Sequence, residues 1–227
     1  MSVSNKMKEQ TFFGRISNGD IANRFVLENN NGMRIEVSDF GALVLSIILK
    51  DRNGVLRDVV LGFGHDSGTV PHHELEVYSD AYLNIDEELI PTGEVIDVTN
   101  TPMDFRQRKK IGKDIECDYL PLQYARGYDH NYVFENDRVL KKVAKLYAAN
   151  SGIVMTVLSD LCGLQIYSGN FLNGEIGKGG AVYNKNSGMC LETQFYPNAC
   201  NEKKFPSPLL KARKKFTSRT VYQFEVQ

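Results

Sequence analysis

Alternation of apolar and polar residues with a period of two, punctuated by tight-turn residues, is what most limits the folds open to this chain. Met33, Ile35 and Val37 alternate with Arg34, Glu36 and Ser38, as in a strand with one face buried. The run Leu43 to Leu49 is separated from Val55 to Leu61 by Asp51-Arg52-Asn53-Gly54, which predicts a hairpin turning at Asn53-Gly54. Val143 to Tyr147 and Ile153 to Leu158 flank Ala148 to Gly152 as a second hairpin, and Val221 to Val226 alternate once more. No segment sustains a 3.6-residue period, although Ile111 to Leu120 could hold a turn or two of helix. Pro91-Thr92-Gly93, Thr101-Pro102 and Gly174 to Gly180 read as loops. The pattern predicts two packed antiparallel sheets in one domain, residues 1–227, without internal repeat or low-complexity linker.

A β-rich chain of 227 residues is long enough for a substantial core. Its longest apolar run, Ala42 to Leu49, is far short of the roughly 20 residues that cross a bilayer, and no apolar leader follows Met1. A cytoplasmic location is therefore expected. The formal charge of -1 gives no global field for nucleic acid or an anionic membrane. The basic clusters Arg106 to Lys110 and Lys211 to Lys215 read as solvated surface. Cys117, Cys162, Cys190 and Cys200 lack CxxC pairing and zinc-ligand spacing, so they are expected to stay reduced. Cys190 is read as a small buried hydrophobe, and neither a metal nor an organic cofactor is expected.

The candidate chemistry lies in three stretches. Glu192, between apolar Leu191 and Thr193, is either a strand-end carboxylate closing a local hydrogen-bond network or a general base in a polar cleft. Gly127 to Val133, GYDHNYV, brings Asp129, His130 and Asn131 beside two tyrosines, and Gly163 to Phe171, GLQIYSGNF, sets Gln165 among apolar and aromatic neighbours. Carboxylates and amides suit sugar hydroxyls, and aromatic faces suit pyranose C–H groups. Each group also has a bland use: Asp129 and Asn131 in a turn, Gln165 on a loop backbone.

Taken together, these stretches resemble the galactose mutarotase, or aldose 1-epimerase, family. The resemblance is carried by DFGALVLSIILKDRNGVLRDVVLGF from Asp39, HELEVYSDAYLNIDEELIPTGEVIDV from His73, TPMDF from Thr101, GYDHNYV, GLQIYSGNFLNG, SGMCLETQFYPNACN from Ser187 and FPSPLL from Phe205. It runs in the family's order from Phe12 to Phe224, and several motifs in register are far more specific than one short pattern. It implies a large antiparallel β-sandwich and an isomerase that interconverts the alpha and beta anomers of galactose and glucose. A glutamate takes the proton of the C1 hydroxyl while a histidine protonates the ring oxygen. By motif, Glu192 matches the base, Asp129 a sugar-binding aspartate and Gln165 a glutamine that contacts the sugar.

The chain departs from the family where Val59 to Phe63 run directly into Gly64 to Val70. A central block of the usual domain is absent, with a junction near residues 63–65, and the family's general-acid histidine goes with it. His65, His72, His73 and His130 are the histidines present. None occupies the acid's motif position, so each is expected to be structural or solvent-facing. Removing strands from a sandwich uncovers backbone edges and apolar faces, so the expected partners are an aldohexose and, through those edges, further copies of the chain. The alternative is a non-catalytic carbohydrate-binding or structural homologue.

Overall fold

The computed structural model describes residues 6–61 and 70–227, with backbone alone at 6–8. The chain divides into two compact units, Met1–Ser67 with Ile176–Val182 and Gly68–Glu175 with Tyr183–Gln227. The expected junction near residues 63–65, and His65, lie outside the described residues.

The first unit is a meander, β1 (Lys6–Arg15), β2 (Ile21–Glu28), β3 (Arg34–Ser38), β4 (Val44–Lys50) and β5 (Leu56–Asp58), hydrogen-bonded in that order. The hairpin predicted at Asn53-Gly54 forms, with Gly54 at φ +77°, a backbone region costly for any residue with a Cβ. The Asp51 carboxylate holds this turn by accepting from the Asn53 and Val55 amides and from Arg57. Strand β5 is shorter than the apolar run suggested, because Asp58 turns its carboxylate back onto the amides of Ile47 and Val60.

The second unit contains β6 (Glu74–Val77), β7 (Ala81–Ile85), β8 (Pro91–Asp97), β9 (Lys109–Lys110), α1 (Leu120–Ala125), β10 (Asp129–Val133), β11 (Lys141–Ala148), β12 (Ile153–Ser159), β13 (Gly163–Tyr167), β16 (Cys190–Gln194) and β17 (Thr220–Val226); β14 (Asn173–Ile176) and β15 (Val182–Asn184) form a ribbon. One antiparallel sheet has the order β16-β13-β10-β7-β8, the other β17-β12-β11-β6-β9. Their facing sides share one core, with Leu75, Val77, Val143, Ala144 and Val157 against Tyr82, Tyr132, Leu164, Ile166 and Leu191. Each of the leucine, isoleucine and valine side chains contributes roughly 1.5–3 kcal/mol by leaving water. This is the sandwich that the alternating pattern implied. The second hairpin and the terminal strand also form where the alternation placed them.

One local expectation is met and one is corrected. Ile111 to Leu120 holds one turn of 3-10 helix, at Ile111–Lys113, and the short helix α1 begins at Leu120, with Pro121 in its first turn, where a missing amide costs nothing. Pro91-Thr92-Gly93 is not a loop but the start of β8. That strand lies at a sheet edge, where proline removes no ladder bond that must be made. The cluster Arg106 to Lys110 is tied down by ion pairs of Arg106 to Asp80 and Asp104, Arg108 to Glu74 and Lys109 to Asp114. Among the described residues no helix is long and apolar enough to cross a membrane.

Candidate active site

Strand parity decides what the sandwich presents outside its core. In the first sheet of the second unit, His130, Ile166 and Leu191 are cross-strand neighbours pointing inward. Their sequence neighbours must therefore point to the opposite face. There Asn131, Gln165 and Glu192 stand in direct register across β10, β13 and β16, and Asp129, Tyr167 and Cys190 form the adjacent row. Three candidates separated by up to 63 positions in sequence thus share one polar face.

Local structure fixes the start of β10. Helix α1 ends at Arg126 in the left-handed region, φ 55°. At the next residue a Cβ would collide with the Asn170 amide, so only glycine fits at Gly127. Asn170 Nδ2 donates to the carbonyls of Ala125 at 2.7 Å and Tyr128 at 3.0 Å, and the Tyr128 amide donates to Ser168 Oγ at 3.0 Å. This buried clamp delivers Asp129 to the polar face.

On that face Gln165 Nε2 donates to Asp129 Oδ1 at 2.7 Å. Burial pushes the Asp129 carboxyl above the ordinary aspartate range; the Gln165 hydrogen bond pulls it back and the charge of Glu192 adds to the rise. Glu192 is exposed while Leu191 beside it is buried. Cys190 is not the buried hydrophobe read from the sequence: it is exposed and shares the face of Glu192, because residues two apart on a strand point the same way. Desolvation of the thiol, with the charge of Glu192, a hydrogen bond to it and the charge of Asp129, pushes it up to about 11. Tyr167 stacks on Phe171 with ring centroids 6.4 Å apart, a flat apolar surface at the same end of the face as Asp129.

The histidines fall elsewhere. His130 is fully buried in the core, accepts the Asp129 amide on Nδ1 at 3.0 Å and lies edge-on to Tyr82. Burial lowers its pKa to about 3, against a raising contribution from the Pro121 backbone, so it is neutral at physiological pH. His72 lines a shallow recess with Pro71, Lys110, Gly112 and Lys113, before β6 in the opposite sheet. The His73 amide donates to Val70, and its carbonyl accepts from Ile111. Among the described residues no histidine side chain projects from the strands that carry Glu192, Gln165 and Asp129 on their polar side. Nor do the described residues include a cluster of three or more metal-ligating side chains.

The fold and this face define a class: an all-β sandwich protein with a carboxylate–amide platform on one sheet. Comparison with known proteins narrows it. The family model for aldose 1-epimerase matches residues 64–223. Pig galactose mutarotase is 40% identical over 164 residues, covering 72% of this chain and 46% of the relative. Aldose 1-epimerase of Escherichia coli K12 is 33% identical over 162 residues, covering 70% and 46%. Among solved structures, galactose 1-epimerase from Lactobacillus acidophilus superposes with a TM-score of 0.66 at 16% identity, covering 99% of both chains. A GalM/aldose epimerase homologue from C. elegans gives 0.63 at 22% identity, covering 92% of this chain and 61% of the other. The chain belongs to the aldose 1-epimerase family. It spans about half the length of the curated relatives it matches, and the family match begins near the start of the second unit.

Sequence reasoning named Glu192, Asp129 and Gln165, and all three reach one face. It left Asn131 and Tyr167 unassigned, although both are two residues from a named one on the same strand, and that spacing was the available signal.

Proposed function

We propose that this chain is an aldose 1-epimerase homologue that binds an aldohexose such as galactose or glucose on the polar face of β10, β13 and β16 and interconverts its anomers in cytosolic hexose metabolism. The observation that carries the reading is the register that brings Asp129, Gln165 and Glu192 together outside the core, within the segment matched to the family. In this role Glu192 takes the proton of the C1 hydroxyl and Asp129 and Gln165 hold sugar hydroxyls. Ring opening, rotation about C1–C2 and reclosure then give the other anomer. The reaction moves only protons, so neither metal nor organic cofactor takes part.

The rate of such a site is set by what stands opposite Glu192. A positioned acid is worth about two to four orders of magnitude, and no described histidine faces the base. We therefore assign this chain a turnover lower by about that factor than a site with the full acid–base pair. That same observation supports the second reading, a carbohydrate-binding homologue without turnover. In this proposal residues 1–227 form one aldose 1-epimerase-like domain lacking a block near residues 63–65, with further copies of the chain as partners through open sheet edges. Titration calorimetry with galactose tests the binding step: saturable heat that is lost in Asp129→Asn and Gln165→Leu is expected, and heat unchanged by both substitutions would remove these residues from the site.

A further inference from the structure

Of the two basic clusters in the sequence, Arg106 to Lys110 finds its carboxylates in the structure, and Lys211 to Lys215 does not. The side chains of Lys211, Arg213, Lys214 and Lys215 make neither an ion pair nor a hydrogen bond among the described residues. All four are exposed, and from Lys203 to Phe224 the chain contains no Asp or Glu. A tight turn gathers them: the Lys214 amide donates to the Lys211 carbonyl at 3.0 Å, and Arg213 lies in the left-handed region at φ 63°. Directly before this turn, Leu209 and Leu210 are 77% and 57% exposed. The formal charge of -1 over the whole chain thus conceals a local concentration of positive charge beside two bare leucines.

Both ends of the segment are held. Upstream, Phe205 is buried edge-on to Tyr196 with ring centroids 5.2 Å apart, and Pro206 and Pro208 restrict the backbone that follows. Downstream, Phe216 packs on Phe195 at 5.8 Å and under the Arg138 guanidinium at 5.2 Å, while Arg138 donates to the Thr217 carbonyl. The Arg219 amide donates to Asp160 at 3.0 Å, and Asp160 also pairs with Arg138, so this carboxylate is engaged at the anchor and leaves the cations of the tip uncompensated.

We propose that residues 209–215 dock this chain onto an anionic lipid bilayer. Leu209 and Leu210 enter at headgroup depth, and Lys211, Arg213, Lys214 and Lys215 meet the negative headgroups. The two signals work together, as an apolar anchor and a polybasic patch do, and give reversible attachment. Each basic residue close to such a surface strengthens binding about fivefold. A nucleic acid would use the same cations but has no use for two aliphatic side chains beside them; it would want exposed rings on which bases stack. Residues 209–215 contain no aromatic side chain, and the adjacent Phe216 ring is engaged by Phe195 and Arg138. The pairing of charge with exposed leucine is what selects a lipid surface.

The test is co-sedimentation of the full chain with vesicles of phosphatidylcholine alone and of equimolar phosphatidylcholine and phosphatidylserine, at low and at physiological salt. The wild type should pellet with the mixed vesicles only, and the association should weaken as salt shortens the reach of the charges. Lys214→Gln combined with Lys215→Gln should weaken it about 25-fold, the product of two fivefold losses. Leu209→Ser, which leaves the charge untouched, should weaken it about tenfold. These side chains are exposed, so each variant should melt as the wild type does. No pelleting with the mixed vesicles at low salt, equal pelleting with both kinds, or wild-type affinity in the charge variant or in Leu209→Ser overturns the proposal. So does a single-stranded oligonucleotide that binds more tightly than the mixed vesicles and is indifferent to Leu209→Ser, the pattern of a nucleic-acid surface. Because the measurement needs no sugar, its outcome is separate from the functional reading.

Discussion

Acid should unfold the second unit through His130 before most of its carboxylates contribute. The folded state keeps this fully buried ring neutral down to about pH 3, whereas the unfolded chain protonates it near 6.5. With the folded value below the unfolded one, the unfolded state binds the extra proton, so stability is complete above pH 6.5 and is lost as pH falls toward 3. At about pH 4.5 the gap is about two units, or about 3 kcal/mol. That is a large share of a net stability of about 5–15 kcal/mol. Urea unfolding followed by circular dichroism at about pH 7 and about pH 4.5 measures it in the wild type, with His130→Phe and His130→Gln as references that cannot titrate. His130→Phe loses the acceptor for the Asp129 amide and should be weaker at neutral pH by about 1 kcal/mol, whereas His130→Gln brings an amide oxygen able to accept in its place. Their decline with acid should nevertheless be shallower than the wild type's by about 2–3 kcal/mol. Parallel declines would refute the reasoning, as would a His130 ring resonance that titrates near the ordinary imidazole value.

Other outcomes follow from the polar face. The Asp129 carboxyl is raised by burial and by Glu192, so its charge costs stability as pH rises above its unfolded value; Asp129→Asn should melt higher than the wild type at about pH 7 and show no gain at about pH 3, as read by calorimetric scans. Glu192→Gln removes a charge that holds the Cys190 thiol up, so alkylation of Cys190 by iodoacetamide at about pH 8 should accelerate severalfold, measured by peptide mass spectrometry with Cys200 as the internal control. Gly163→Ala would place a Cβ 2.8 Å from the Asn131 amide and 2.9 Å from the Gln194 carbonyl; an overpacking loss of about 1–3 kcal/mol should appear in urea titrations, and wild-type stability would show that Asn131 is not held over Gly163.

Much of this architecture is legible in the sequence because strands advertise themselves by parity. The hairpins at Asn53-Gly54 and at Ala148 to Gly152 form where alternation and turn residues place them, and Leu191 beside Glu192 already states which side of β16 faces the core. The order β16-β13-β10-β7-β8 is a different matter. It joins strands far apart in the chain, and no local pattern encodes which long-range partner a strand takes. Helix α1 escaped because its six residues are too few to display a 3.6-residue period. Cys190 was misplaced because its residue type suggested the core while its parity with Glu192 put it outside. Asn131 was visible as a residue but not as part of the site, since its place opposite Gln165 follows only once β10 and β13 are known to pair.

Polarimetric relaxation of freshly dissolved alpha-galactose tests most directly whether Glu192 is a working base on a sugar-binding face. The intact chain should speed the approach to anomeric equilibrium above the buffer rate. The acceleration should lie about two to four orders of magnitude below that of a full acid–base pair and vanish in Glu192→Gln. Relaxation indistinguishable from buffer, or equal in wild type and Glu192→Gln, would contradict that role.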